Sequence, residues 1–299
     1  MADALPYGFC LPIDISKLEN SRMSLIPLQL SWDIMTSRAD WDRLCSIYVR
    51  ETLPYPELFD HVSFGPFRHN NEFRRHFDVR CLQDHGTIIL AIILKRCTIR
   101  KRRGGGDISG GANNVDDLEV EDGTFAGTIG LLNTDVSRSR TEVGHKPKPR
   151  RGSEGPSIDE PLIYASDTPS PKIVIFPRFQ RTFVGTHAHG LLLQQCLDPL
   201  PSGLGLRRVQ WQANSQNTTS IRAAQRMGYQ LEGIMRWERA LAEGKTGIGP
   251  SDAQGKGLPM LDANGKTLGI GRHSAMLAIC WDDWTGGGGR KRVLELMSR

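Results

Sequence analysis

Two segments in the second half of the sequence combine the residue types and the spacing that chemistry requires. The first is residues 172–197, in which KIVIF leads through PRFQRTFVGT into HAHGLLLQQCL. A strand, a turn and a helix in this order leave free backbone N–H groups at the helix N-terminus, which suits a phosphate. Arg178 and Arg181 would add positive charge. By itself, however, this pattern is more often found in strand–turn–helix units that bind nothing.

The second segment repeats this arrangement with different polar residues. The alternating run LRRVQWQA is followed by NSQNTTSIRAAQRMGYQLEG, in which Asn217 and Ser220 open a helix that Gly228 ends. The motifs of these two segments, in the order in which they occur, resemble the GNAT superfamily of N-acetyltransferases. The resemblance is closest to its ribosomal-protein N-alanine acetyltransferase branch. The residues that carry the resemblance are Pro177, Phe179, Gln180, Thr186, Ala188, Asn217, Ser220, Gly228, Tyr229, Glu232 and Gly233.

This resemblance implies a fold, a co-substrate and a reaction. Strands four and five of the sheet would separate, and the pantetheine arm of acetyl-CoA would enter between them. A primary amine, on a protein N-terminus or a small molecule, would then attack the thioester directly. The implied cofactor-binding residues are Ile175, Phe176, Gln180, Arg181, Thr182, Phe183, Val184, Gly185, Thr186 and Asn217.

The resemblance also implies catalytic roles for three side chains and one backbone group. Ser220 would protonate or hydrogen-bond the leaving thiolate, and Asn217 would bind the cofactor or order the site. A backbone N–H near Val174 or Ile175 would stabilise the oxyanion. Glu142 is the candidate general base, with an ordinary surface carboxylate as the alternative.

Three positions depart from the family pattern. Arg181 and Phe183 stand where the phosphate-binding turn of the family has glycines, and Ala224 stands where many members carry a tyrosine acid. Glycine lets a backbone approach a pyrophosphate closely. These departures keep a second hypothesis open, a degenerate member that binds acyl-CoA or a protein partner without turnover.

The elements that position these residues follow from hydrophobic periodicity. It predicts a mixed α/β (α+β) sheet in a single domain over residues 1–299. The resemblance implies that this sheet is mostly antiparallel and has flanking helices. The predicted helices are residues 39–51, 70–83, 184–197 and 217–227. The predicted strands are residues 18–28, 87–97, 124–133, 172–176, 206–213, 229–239 and 272–281.

Most of the 32 glycines and many of the 17 prolines fall outside these elements. They concentrate in residues 98–122, 145–171, 242–271 and 286–289, which we interpret as loops, the first three being flexible insertions. Residues 141–144 and 172–176 look like two parts of one strand, the fourth of the family. The insertion 145–171 would therefore interrupt that strand.

Other side chains that are chemically able to act in catalysis or binding are interpreted as structural. His187 and His189 are expected to pack inside the domain or face solvent, and Cys196 to be a small buried hydrophobe. We expect Glu232 to be structural, and Trp211 to lie in the core or to form a wall of the substrate cleft.

Composition excludes several classes of protein. The net charge of +5 is mild, and the basic run at residues 95–103 is followed by acidic residues, so a solvated loop is favoured over a nucleic-acid or nuclear-import patch. Six cysteines without a CxxC pair argue against a metal site or disulfides. No apolar run is long enough for a membrane span and no secretory signal is visible, so we expect a cytoplasmic protein.

Overall fold

The computed structural model describes residues 9–28, 38–62, 64–78, 84–102, 115–135, 140–143, 173–241 and 271–299, together with 245, 247–248, 260–261, 265 and 267–269. Its helices are α1 (Arg38–Thr52), α2 (Asn70–Phe77), α3 (Phe183–Leu197), α4 (Thr218–Arg226), α5 (Trp281–Thr285) and α6 (Gly289–Met297). Its strands are β1 (Met23–Pro27), β2 (Ile88–Leu94), β3 (Cys97–Arg102), β4 (Val115–Val120), β5 (Thr124–Asp135), β6 (Arg140–Val143), β7 (Val174–Ile175), β8 (Arg208–Asn214), β9 (Gln230–Ala240), β10 (Met260–Leu261), β11 (Thr267–Gly269) and β12 (Gly271–Cys280).

One eight-stranded sheet organises the molecule, in the order β1-β2-β5-β6-β8-β12-β9, with β7 also paired to β5. All pairs are antiparallel except that of β6 with β8, which is parallel. This is the predicted mixed, mostly antiparallel sheet with flanking helices. The predicted helices and strands are recovered with small shifts in their ends, as in α1, which was expected at residues 39–51.

Two of the predicted elements are shorter than expected. The first strand begins only at Met23, because the Asn20 side chain accepts the N–H groups of Arg22 and Met23 and holds a turn before it. Helix α2 ends at Phe77, and residues 79–83 of the predicted helix lie outside the described part of the chain.

Strands β6 and β7 are two segments of one interrupted strand. Glu142 pairs with Leu132 of β5, and further along the same strand Val174 pairs with Thr128. Gly127 pairs with Ile92 of β2 on one side and with Ile175 on the other, so β7 lies on the same edge of β5 as β6. The expectation that one strand is interrupted and then resumed is confirmed.

Helices α1 and α3 cover opposite faces of the sheet. The Ile175 side chain points toward Gly185 in α3, whereas the next side chain, Phe176, meets the ring of Tyr48 in α1 at 5.8 Å. The α1 face is a cluster of aromatic side chains, whereas the α3 face combines aliphatic side chains with the rings of His189, Trp211 and Tyr229. The aromatic cluster consists of Trp41, Tyr48, Phe59, Phe64, Phe67, Phe73, Phe77 and Phe176.

Helix α3 is buried on nearly every side, and the reason is a helix that the sequence analysis did not predict. Helix α6 packs on it so closely that a Cβ at Gly190 would lie 2.3 Å from the Met297 sulfur. Asp198, at the end of α3, accepts hydrogen bonds from Trp284 Nε1 at 2.7 Å and from Arg290 Nε at 2.9 Å. A helix that is apolar all round requires such cover.

The described parts of residues 98–122 are not the flexible loop that the sequence predicted. Strands β3 and β4 pair as an antiparallel hairpin, with Arg100 opposite Asp117. The opposite charges of these two residues favour the pairing, and Ile99 and Val120 are buried on its inner face. The glycine content hid this alternation.

The other two predicted insertions are largely outside the described residues. Residues 145–171 fall there entirely. Within 242–271 the structure describes a small antiparallel pair, β10 with β11, and Lys245, whose ammonium group donates to the carbonyl oxygens of Phe59, Phe64 and Gly65. Among the helices that the structure describes, none is long and apolar enough to cross a membrane.

Candidate active site between two separating strands

The central feature of the sheet is a parallel pair that stops part way along. Strands β6 and β8 pair from Arg140 with Arg208 to Val143 with Trp211. When the interrupted strand resumes as β7, its described pairing is to β5 and not to β8. Among the described residues, 212–214 of β8 therefore pair with β12 on one side and have no strand partner on the other. We call the space between β7 and residues 212–214 the strand gap.

The backbone of β7 directs one N–H group into this gap. Phe176 N donates to Ala126 O of β5 at 3.0 Å, so the N–H groups of Phe176 and Val174 point toward β5. Because backbone groups alternate along a strand, the N–H and C=O groups of Ile175 point away from β5. The Ile175 carbonyl accepts from Gln180 Nε2 at 3.0 Å, which leaves its N–H facing the gap.

The turn after β7 takes a conformation that glycine normally supplies. Arg181 has φ of +61°, in the left-handed region. Its side chain is exposed, and within the described ranges it has no ion-pair partner. The chain therefore keeps the glycine-like geometry at this position while adding a positive charge.

Helix α3 begins directly after this turn. Thr182 is its N-cap, with Oγ1 accepting from Val184 N at 3.3 Å and donating to Phe179 O at 2.6 Å. Thr186 Oγ1 accepts from Arg226 Nη2 at 3.0 Å, which joins the first turn of α3 to the last residue of α4. Val184 is fully buried, so its side chain belongs to the core.

Phe183 and Gly185 occupy the first turn of α3. The Arg22 guanidinium lies 4.8 Å from the centre of the Phe183 ring, and the His187 ring meets the Phe183 ring edge-on with centroids 5.1 Å apart. Gly185 faces Ile175, and a Cβ at Gly185 would make an ordinary van der Waals contact with Ile175 Cγ1, at 3.8 Å. The first turn of α3 thus has an arginine beside its N-terminus.

The helix after β8 supplies the hydroxyl group of the site. Asn217 is the N-cap of α4, and its Oδ1 accepts from Ser220 N at 2.9 Å. Asn217 therefore orders the first turn of α4 through its side-chain oxygen. Ser220 Oγ accepts a hydrogen bond from Trp211 Nε1 at 3.0 Å.

Glu142 lies on β6, opposite Leu132 of β5 and Gln210 of β8. This register places it on the strand that borders the start of the gap. Glu232, the other acidic residue of the motif, forms an ion pair with Arg208 at 2.6 Å. The hydrogen bond from Arg208 holds the pKa of Glu232 below its usual value, in keeping with a structural role.

Sequence reasoning missed two amide side chains that border the gap. Gln212 and Asn214 are 2% and 1% exposed. They alternate with Trp211, so they face away from α3 and α4. In the part of the chain that the structure describes, neither polar atom of the Gln212 amide nor Asn214 Nδ2 has a hydrogen-bond partner. The sequence did offer one indication of these two residues, since both follow Trp211 in a predicted strand of alternating residues.

The two histidines of α3 are buried and neutral. Desolvation, and then the charge of Arg22, lower the pKa of His187 to about 4, and desolvation lowers the pKa of His189 to about 3. His189 Nε2 is 2.8 Å from the Tyr229 hydroxyl. Burial likewise raises the pKa of the Cys196 thiol to about 12. These groups serve packing, as the sequence analysis expected.

Solved structures share this architecture although sequence comparison finds no relative. No family model matches the sequence, and no curated protein matches it. A GCN5-related N-acetyltransferase from Brucella melitensis has a TM-score of 0.56 at 16% identity, over 94% of this chain and 84% of that one. A probable acetyltransferase of the GNAT family from Chromobacterium violaceum has a TM-score of 0.54 at 16% identity, over 89% and 87%. The chain therefore has the fold of GNAT-family acetyltransferase structures.

Proposed function

We propose that this protein transfers the acetyl group of acetyl-CoA to a primary amine, on a protein N-terminus or on a small molecule. The observation that carries the proposal is the strand gap itself. It is bordered by the Ile175 N–H on β7 and by the start of α4, where Ser220 lies, after β8. A gap in a sheet leaves backbone donors and acceptors free, and these suit the amide groups of a pantetheine arm.

The turn before α3 fits the diphosphate of such a co-substrate. The first turn of α3 carries free N–H groups at the positive end of the helix dipole. Arg181 is exposed beside it, and Arg22 lies against Phe183. We assign residues 180–186 to this anion site, with Ile175 and Phe176 on the approach to the gap.

Acetyl-CoA supplies an acetyl thioester, and the chain supplies the groups around it. The Ile175 N–H would donate to the oxygen that becomes negative as the amine attacks. Ser220 would donate to the departing sulfur, and Asn217 holds the turn that carries it. We assign Glu142 as the base on the strength of its position in β6, opposite Gln210.

The amine would approach from the face of the sheet opposite α3. Gln212 and Asn214 lie on that face beside the gap, and both are buried. Among the described residues, both amide nitrogens and the Gln212 amide oxygen lack a hydrogen-bond partner. Leaving such groups unpaired costs about 1–3 kcal/mol each. A bound acceptor would satisfy them, so we place the acceptor there.

Two measurements test the proposal. Titration calorimetry with acetyl-CoA tests binding, and thiol release tests turnover with a panel consisting of a peptide with a free N-terminus, spermidine and an aminoglycoside. We expect binding and thiol release with at least one amine. Binding without release from any amine would instead support the non-catalytic alternative, and no binding would exclude both.

A variant of Ser220 tests the assigned donor. Ser220→Ala should lower kcat about ten- to a hundredfold, the value of a hydrogen bond to a charged group, with an unchanged dissociation constant for acetyl-CoA. Thr219→Ala is the matched control, because it removes an exposed hydroxyl one position earlier in α4. Full activity in Ser220→Ala would remove Ser220 from this role.

A further inference from the structure

Trp211 stands where the parallel pairing ends and the strand gap begins. It pairs with Val143, the last residue of β6. Its side chain is 9% exposed and points toward α3 and α4. Its indole Nε1 is 3.0 Å from Ser220 Oγ. The tryptophan is thus directly joined to the hydroxyl group assigned to the leaving thiolate.

The direction of this hydrogen bond follows from the chemistry of its two partners. The indole N–H is a donor only, so the Ser220 oxygen must be the acceptor. The hydroxyl hydrogen of Ser220 is therefore not used by Trp211. In the described ranges, no acceptor for that hydrogen is present within hydrogen-bond distance. Because Ser220 is only partly buried, the hydrogen remains available to a ligand.

Two further side chains hold the indole in place. The His189 ring stacks on Trp211 with centroids 4.9 Å apart and an interplanar angle of 20°. Tyr229 meets the indole edge-on at 5.8 Å and binds His189 through its hydroxyl at 2.8 Å. Two buried neighbours that also bind one another leave the indole little freedom to rotate, so its N–H is aimed at Ser220.

We propose that Trp211 is a positioning residue for acetyl transfer: it occupies the Ser220 oxygen as a donor and so directs the Ser220 hydrogen to the leaving sulfur. This inference rests on the proposed function. In the reaction the amine nitrogen forms a bond to the acetyl carbon, and the carbon–sulfur bond breaks with its electron pair on sulfur. One proton leaves the nitrogen and one reaches the sulfur, so that the products are an N-acetyl amide and a free thiol.

A double-mutant cycle tests the proposal, with acetyl-CoA and whichever amine of the panel is turned over. Trp211→Phe retains a ring against His189 and loses the N–H. We expect it to lower kcat about three- to tenfold, the value of one neutral hydrogen bond, and to leave the affinity for acetyl-CoA within twofold. In the Ser220→Ala background the same substitution should have no further effect on kcat, because the residue acts only through Ser220.

A matched control separates positioning from stability. Trp284 is also fully buried and donates its indole N–H to Asp198 at 2.7 Å, far along the chain from the gap. Trp284→Phe removes an indole hydrogen bond to a carboxylate and should lower the melting temperature without lowering kcat. If Trp211→Phe fails to fold, benzothienylalanine at position 211 replaces the N–H by sulfur while keeping the shape of the ring.

The possible outcomes distinguish a failure of this inference from a failure of the proposed function. If the wild-type protein releases no thiol with any amine, the function and this inference fail together. If it turns over and Trp211→Phe retains full kcat, the inference alone is overturned. It is also overturned if the losses from Trp211→Phe and Ser220→Ala multiply in the double variant, since Trp211 would then act independently.

Discussion

At the scale of single residues, the site contains a residue with an unusual backbone conformation and a core residue with an unusual hydrogen bond, and neighbouring groups account for both. Arg181 adopts a backbone conformation that glycine favours, in a turn where its charge would meet a diphosphate. Trp211 is a core aromatic by its burial, yet its one polar atom reaches Ser220. The sequence predicted Ser220 and Asn217 from their motif, and Asn217 caps the helix that carries Ser220. The indole that donates to Ser220 comes from β8 and was not predictable.

The strain at Arg181 gives the first prediction. Arg181→Gly should raise the free energy of unfolding by about 1 kcal/mol relative to Arg181→Ala, because alanine also lacks the charge but keeps the unfavourable φ. Both variants should bind acetyl-CoA more weakly than wild type. Thermal melts and calorimetry measure the two effects, and equal stability of the glycine and alanine variants would contradict the strain.

The buried histidines give the second prediction. The pKa values of His187 and His189 are lowered to about 4 and about 3 by desolvation, against about 6.5 in an unfolded chain. Between these values the unfolded state binds more protons, so stability falls as the pH falls from 6.5. Each histidine should contribute a slope of up to about 1.4 kcal/mol per pH unit.

Denaturant unfolding between pH 7 and pH 4 measures this slope. His189→Phe should make it shallower by about one proton, whereas His69→Gln, at an exposed position, should leave it unchanged. An unchanged slope in His189→Phe would mean that His189 is not the group that titrates.

At the scale of elements, the gap is produced by one strand that is made in two pieces. Residue 143 ends the piece that pairs with β8, and residue 174 begins the piece that pairs with β5. The family resemblance predicted this interruption, because the fourth strand of the family is one piece and 27 proline-rich residues separate its two parts here. The sequence did not predict the β3–β4 hairpin, where glycine content was taken as a sign of loop although apolar residues alternate on both sides.

Gly127 gives the prediction at this scale. It has φ of +139°, and a Cβ there would lie 2.0 Å from the Val174 carbonyl oxygen, which belongs to β7. Gly127→Ala should therefore push β7 off β5, cost about 2–3 kcal/mol of stability and abolish binding of acetyl-CoA. Gly123→Ala is the matched control, because Gly123 has φ of +78° with no atom within 4 Å. Gly123→Ala should lose about 1 kcal/mol of stability and still bind acetyl-CoA. If the two variants lost the same stability and bound acetyl-CoA equally well, the role of β7 would be contradicted.

At the scale of the whole molecule, one sheet connects the first described strand to the last. Helices α1 and α3 cover its two faces, and α6 closes the outer side of α3. We therefore propose that residues 1–299 fold as a single domain that carries residues 145–171 as an insertion. Helix α6 could not be recognised from the sequence, since its N-cap Gly288 and its first residue Gly289 belong to the run of four glycines.

Shortening the chain tests this organisation. Val143 and Val174 face positions of β5 about three residues apart, a distance of about 10 Å. Replacing residues 145–171 by a four-residue Gly-Ser linker should therefore preserve one cooperative unfolding transition, a melting temperature within a few degrees and the binding of acetyl-CoA. Replacing residues 141–171 in the same way, which also removes most of β6, should abolish cooperative unfolding. Loss of folding in the shorter deletion would show that the insertion is part of the core.

The sequence by itself determined the local features of this protein: the turn before α3, the cap of α4 at Asn217, the alternation of β8 and the interruption of one strand. Each depends on residues close together in the chain, where periodicity and capping act. The tertiary structure alone decided that the pairing of β6 with β8 stops at Val143 and Trp211, that Trp211 meets Ser220, and that both histidines of α3 are buried. These are contacts between distant segments, whose free energy depends on packing and register rather than on local preference.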